Sequence, residues 1–119
     1  DYISRYGKYT NINAEYREYS QLYDRLFEAL LDNNCLLEVN TRRFVDNTDC
    51  YKYLYTVYAR YKEMGGKYVT VGSDARRAGS VGINFKHAMD LVKNVGLEAV
   101  YFAGGKMRKC NEVSAKAFF

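Results

Sequence analysis

Three amphipathic stretches alternate with three short apolar runs, and this alternation limits the possible folds more than any other feature of the sequence. The first stretch, Ala14 to Asp32, carries Tyr19, Leu22, Tyr23, Leu26, Phe27 and Leu30 at three- and four-residue spacing, one apolar stripe along a helix. Asn13 is available as its N-cap, Glu15 lies in the first turn where the helix dipole favours negative charge, and Asn33 and Asn34 can end it. Cys35 to Asn40 then reads as a short, mostly buried strand. A second helix is expected from Thr48 or Asp49 to Met64, with Tyr51, Leu54, Tyr55, Tyr58 and Tyr61 inward and Gly65-Gly66 supplying its C-terminal cap. Tyr68 to Val71 is β-branched and strand-like, and it stops at Gly72-Ser73-Asp74. A third helix, Asn84 to Asn94, presents Phe85, Ala88, Met89 and Val92 and ends at Gly96; Leu97 to Phe102 is the last strand, followed by Gly104-Gly105 and a basic tail.

Such an order predicts a parallel α/β architecture with right-handed crossovers and helices flanking the sheet. The pattern is equally compatible with a segment of a barrel and with an open doubly wound sheet. Neither repeats nor linkers interrupt the 119 residues, so the chain reads as one unit. Its thirteen tyrosines suit half-buried helix–sheet or subunit contacts, where the ring packs and the hydroxyl finds a polar partner. A net charge of +4 is modest, and the only dense basic cluster is Lys106, Arg108 and Lys109; this favours an anionic small molecule over nucleic acid. Cys35, Cys50 and Cys110 form no C-x-x-C pair, which fits neither a zinc knuckle nor a redox motif and agrees with a reducing, cytoplasmic setting. No run reaches membrane-spanning length, and an opening at Asp1 is what trimming or processing would leave.

In parallel α/β proteins, ligands gather at the carboxyl ends of the strands. Glu38 and Asn40 stand there on the first strand, and a carboxylate within an apolar run calls for a cation, metal or hydrogen-bond donor. Asp74 stands at the mouth of the second, where it either holds a hard cation or caps the next turn. The glycine spacing matches neither nucleotide-binding loop. His87 is the only histidine and is assigned a structural or exposed position on the third helix. No serine has the histidine partner of a hydrolase triad, and no catalytic residue is assigned.

Several pieces in order resemble the C-terminal half of the PHP (polymerase and histidinol phosphatase) family, its histidinol-phosphatase branch above all. They are RYG at Arg5 to Gly7, LLEVNT at Leu36 to Thr41, YKEMGGKYVTVGSDA at Tyr61 to Ala75, and the Val81-Gly82 step before the Asn84-Phe85 helix. The resemblance implies the C-terminal portion of a distorted (β/α)7 barrel, with residues 1–119 forming a partial domain that lacks its N-terminal half. It implies a phosphatase of histidine biosynthesis that uses divalent zinc, manganese or iron to hydrolyse histidinol phosphate. Carried over by motif, Asp74 is a metal ligand, Arg5 a contact for substrate phosphate, and Glu38 and Asn40 support the pocket.

One departure is plain: the family continues Asp-Ala-His, and this chain reads Asp74-Ala75-Arg76. Arginine has no lone pair for a metal and stays cationic. Arg42 and Arg43 also stand where smaller polar or glycine-containing sequence is more usual in the family. The chain alone is therefore expected to hold no metal tightly, to be inactive by itself, and to associate with the missing half or with itself. The rival expectation is a non-catalytic interaction or oligomeric protein derived from a degenerate PHP domain.

Overall fold

In the computed structural model, residues 17–44 and 48–110 are described. Helix α1 spans Ser20–Asp32, β1 Leu37–Asn40, α2 Thr48–Glu63, β2 Tyr68–Gly72, α3 Phe85–Val95, β3 Glu98–Ala103 and β4 Lys106–Lys109. Single 3-10 turns follow β1 and β2, at Thr41–Arg43 and Ala78–Ser80. The expected start of the first helix, with Asn13 and Glu15, lies outside the described residues.

The helices stop where the local chemistry says they should. Asn34, Gly65 and Gly96 adopt φ of 54°, 115° and 86°, the left-handed conformation that ends a helix. In each case the next amide, of Cys35, Gly66 or Leu97, reaches back to the carbonyl of Leu30, Tyr61 or Val92 at 2.8, 2.9 and 3.0 Å. Gly66 has a further reason to be glycine, because a Cβ there would run into the ring of buried Tyr61.

The sheet has the order β1-β2-β3-β4. β1, β2 and β3 are parallel, with Leu37 opposite Val69 and Val69 opposite Ala99. Val39, Val69 and Ala99 point to one face and join Phe27, Tyr61, Leu91 and Val92 in the core. The crossover helices α2 and α3 pack against each other on that face. A sequential strand order with one hand of crossover has this result, whereas a doubly wound sheet reverses its order to fill both faces. The opposite face carries Glu38, Thr70, Val100 and Phe102, with Glu38 and Phe102 exposed.

The basic tail expected after Gly104-Gly105 is instead a strand. Gly104 and Gly105, at φ of 57° and 74°, make a tight two-residue turn, and β4 returns antiparallel with Tyr101 opposite Arg108. Lys106, Met107, Arg108 and Lys109 are all exposed, so no apolar alternation advertised the strand. Their charges also discourage further strand addition at this edge.

The inward faces differ in part from the periodicity. On α1, Phe27 is buried, but Tyr19, Leu22 and Leu26 are 40%, 56% and 49% exposed. On α2, Tyr55 points out while Cys50, Tyr53 and Val57 join Leu54, Tyr58 and Tyr61 in the core. On α3, Leu91 and Val95 are buried with Ala88 and Val92, and Phe85 and Met89 sit at the margin. A helix wedged between neighbours buries a wider arc than one stripe, and a helix touching a single neighbour buries less. α1 also meets α2 through a fork: Arg60 Nε and Nη2 donate to Asp24 Oδ1 and Oδ2 at 2.7 and 2.8 Å, and this contact holds the Asp24 carboxyl below its usual range.

Burial makes the hydroxyls of Tyr53 and Tyr58 weaker acids. Tyr58 donates to the Glu38 carbonyl at 2.7 Å, and Tyr53 shares a hydrogen bond with Tyr23. Desolvation comes first among the causes that push both Tyr53 and Tyr58 well above the ordinary 10.0. Because the fold favours their protonated forms, this contribution is complete below pH 10.0 and is lost as pH rises toward the higher folded-state values. Urea midpoints should therefore fall steeply in alkali, together with a rise in tyrosinate absorbance. A midpoint indifferent to alkali would contradict the burial of these hydroxyls.

Candidate functional site

The carboxyl ends of β1 and β2 lie side by side, with Asn40 opposite Gly72. After β1, the Asn40 side-chain oxygen accepts the Arg42 amide at 3.0 Å and starts the Thr41–Arg43 turn, which swings Arg42 toward β2. After β2, the chain leaves through Gly72 and Ser73 to Asp74, whose φ of 46° is left-handed. Aspartate tolerates that conformation better than most residues, because its short polar side chain bonds locally. A Cβ on Gly72 would come within 2.8 Å of Glu38 Oε2, so glycine leaves room for that carboxylate beside the strand end.

Arg42 Nη1 donates a long hydrogen bond of 3.4 Å to the Asp74 carbonyl and lies 3.8 Å from Asp74 Oδ2. The two side chains are 48% and 37% exposed, so water weakens the pair and it mainly sets local charge. Around it opens a cavity of about 500 Å³ lined by Arg42, Ser73, Asp74, Arg76, Arg77, Ser80 and Ile83.

Asn84 secures the far wall. Its φ of 56° is left-handed, and its Nδ2 donates to the carbonyls of Phe44 at 2.8 Å and Thr41 at 3.3 Å. The segment after β2 is thereby tied to the turn after β1. Sequence reasoning had Asn84 only as the start of a helix; the available signal was an asparagine, tolerant of positive φ, just before an apolar helix.

The structure brings Asp74 and Arg76 together in this cavity and adds Arg42 and Arg77. Glu38 and Asn40 line a different recess, of about 240 Å³, with Arg43, Tyr53 and Tyr58. Glu38 lies exposed on the edge strand β1, so water solvates its carboxylate and no ionic partner is required. Arg5 lies outside the described residues. His87 is exposed on α3.

The cavity wall thus holds, among the described residues, one carboxylate and three guanidinium groups. Among the described residues no group of three His, Cys, Asp or Glu side chains could hold a metal ion. The side chains present do not by themselves fit a metal cluster. No described helix is long and apolar enough to cross a membrane.

Neither a family model nor a solved structure matches this chain. Curated proteins do. A "Probable histidinol-phosphatase" of Clostridium acetobutylicum is 40% identical over 102 residues, 86% of this chain and 40% of that protein. The "Histidinol-phosphatase" of Lactococcus lactis is 32% identical over 117 residues, 98% of this chain and 43% of the relative. A "Probable histidinol-phosphatase" of Thermotoga maritima is 28% identical over 111 residues, 90% of this chain and 43% of the relative. The chain is therefore similar, along most of its length, to a part of proteins named histidinol-phosphatase, and it spans 40–43% of the length of these three.

Proposed function

We propose that this chain is one portion of a metal-dependent phosphoric monoester hydrolase of the histidinol-phosphatase type, acting on histidinol phosphate to release histidinol and phosphate. In this reading residues 1–119 form the C-terminal part of a PHP barrel. The observation that carries it is the 40% identity to the clostridial relative over 86% of the chain. The cavity at the carboxyl ends of β1 and β2 supports it, because that end of a parallel sheet is where ligands collect. Asp74 offers one oxygen ligand, and the remaining ligands for zinc, manganese or iron would come from polypeptide outside this chain. The same polypeptide, or a second copy of the chain, would cover the face that carries Glu38 and Phe102.

Arg76 favours a second reading, a non-catalytic interaction or oligomeric protein derived from such a domain, because arginine cannot replace a histidine ligand. A chimera separates the two: this chain replaces the matching part of the clostridial relative, and phosphate release from histidinol phosphate is followed with added manganese, zinc or iron. The chain alone should release phosphate no faster than buffer, and the chimera should turn over in a metal-dependent way. A folded chimera that stays inactive, even with Arg76→His, would leave only the non-catalytic reading.

A further inference from the structure

We infer that the cavity at the carboxyl ends of β1 and β2 is a guanidinium-built site for a phosphate-type oxyanion, and that it binds this anion without a metal ion. The choice of ligand rests on the phosphomonoester reading above; the binding itself requires no hydrolysis. The charge arrangement carries the inference. Among the described residues Asp74 is the only acid on the wall, and Arg42 already sits against it, 3.8 Å from its Oδ2. Arg76 and Arg77 then remain, adjacent in sequence, exposed, and lining the same space. Neither guanidinium has an ion-pair or side-chain hydrogen-bond partner among the described residues.

Two neighbouring cations with no acid between them repel each other. An oxyanion reverses that sign. Each guanidinium presents a planar fork of donors matched to the oxygens of a phosphate, and charge-assisted bonds of this kind are the strong ones. Ser73 and Ser80, both half-buried on the wall, add hydroxyl donors, and Ile83 closes one side with apolar surface. A volume of about 500 Å³ leaves room for more than the bare anion, so the site would take an alkyl phosphate as readily as free phosphate. Where the resemblance calls for histidine to hold a cation, Arg76 would supply positive charge directly.

The test is a titration of the 119-residue chain, stripped of metal with EDTA, with inorganic phosphate, followed by calorimetry and amide chemical shifts. Saturable binding is expected, weakening as salt rises. Arg76→Gln and Arg77→Gln should each weaken it about tenfold, in line with the loss of a charge-assisted hydrogen bond, with far-UV circular dichroism unchanged. Glycerol phosphate in place of phosphate identifies the source: displacement of bound phosphate shows a site for esters, and failure to displace it shows a site for the free ion; either is an oxyanion site. Absence of saturable binding, binding unchanged in the R76Q/R77Q double variant, or binding seen only after manganese or zinc is added would overturn the inference. The outcome is separable from the hydrolase reading. An active chimera with no metal-free phosphate binding defeats this inference alone, and firm phosphate binding with an inactive chimera defeats only the hydrolase.

Discussion

Replacing Phe27 with alanine is expected to lower the free energy of unfolding by about 3–5 kcal/mol. Phe27 is 1% exposed, and its ring meets Tyr61 edge-on at 5.5 Å and 68° and Tyr23 at 6.0 Å and 43°. It is the fully buried side chain of α1, since Leu22 and Leu26 on neighbouring turns are about half exposed. Truncation removes the transfer energy of the ring and leaves a void against Tyr61, which is itself buried and held by a 3.2 Å bond to the Tyr68 carbonyl. Tyr61 cannot swing away to fill the void without abandoning the α2–β2 junction. Phe27→Leu should cost much less, because most of the volume is kept. Urea unfolding gives both values, and hydrogen exchange should show α1 opening well before the sheet in the alanine variant. A Phe27→Ala loss below about 1 kcal/mol would mean that α1 is not docked through this residue.

The second large effect falls on Asn84, and it reaches the candidate site. Asn84→Ala should destabilise by about 2–4 kcal/mol, the sum of two lost bonds to backbone carbonyls and the strain of holding alanine at positive φ. The two parts separate experimentally. Asn84→Gly restores backbone freedom but not the amide, so it should recover roughly 1 kcal/mol of the alanine loss. Asn84→Asp keeps the conformational tolerance and places oxygen against the Phe44 and Thr41 carbonyls, so it should do no better than glycine. In all three variants the Thr41–Arg43 turn loses its tie to the segment after β2. The phosphate titration should weaken even though no guanidinium has been removed. Unchanged stability in Asn84→Ala would show that the 2.8 Å and 3.3 Å contacts do not hold the two loops together.

Much of this molecule was legible from local chemistry. The three expected strands occur at Leu37–Asn40, Tyr68–Gly72 and Glu98–Ala103, each within a few residues of its apolar run. The helix ends were marked by Asn34, Gly65 and Gly96, residues that enter positive φ at low cost. Asp74 lies at the mouth of β2 because Gly72-Ser73-Asp74 can only be the exit of a strand whose last apolar residue is Val71. These features depend on neighbours in sequence, so periodicity and turn residues suffice to locate them.

Other features depend on segments far apart in the chain. Tyr53 and Tyr55 are chemically alike and two positions apart, yet Tyr53 is buried against Tyr23 while Tyr55 is 41% exposed; only the placement of α1 beside α2 decides between them. β4 carries no apolar alternation and exists because a two-glycine turn folds it back onto β3. Glu38 looked like a buried charge in need of a partner, and its place on the edge strand leaves it exposed to water. The sequence by itself determined the three helices, the first three strands, their order and the strand ends where Asp74 and Arg76 stand, because backbone conformation follows from short-range sterics and hydrogen bonding. Only the tertiary structure decided that Arg42 crosses to Asp74, that Asn84 ties the two loops, and that Arg76 and Arg77 share a cavity with that pair. Those outcomes rest on distances between residues that one dimension cannot supply.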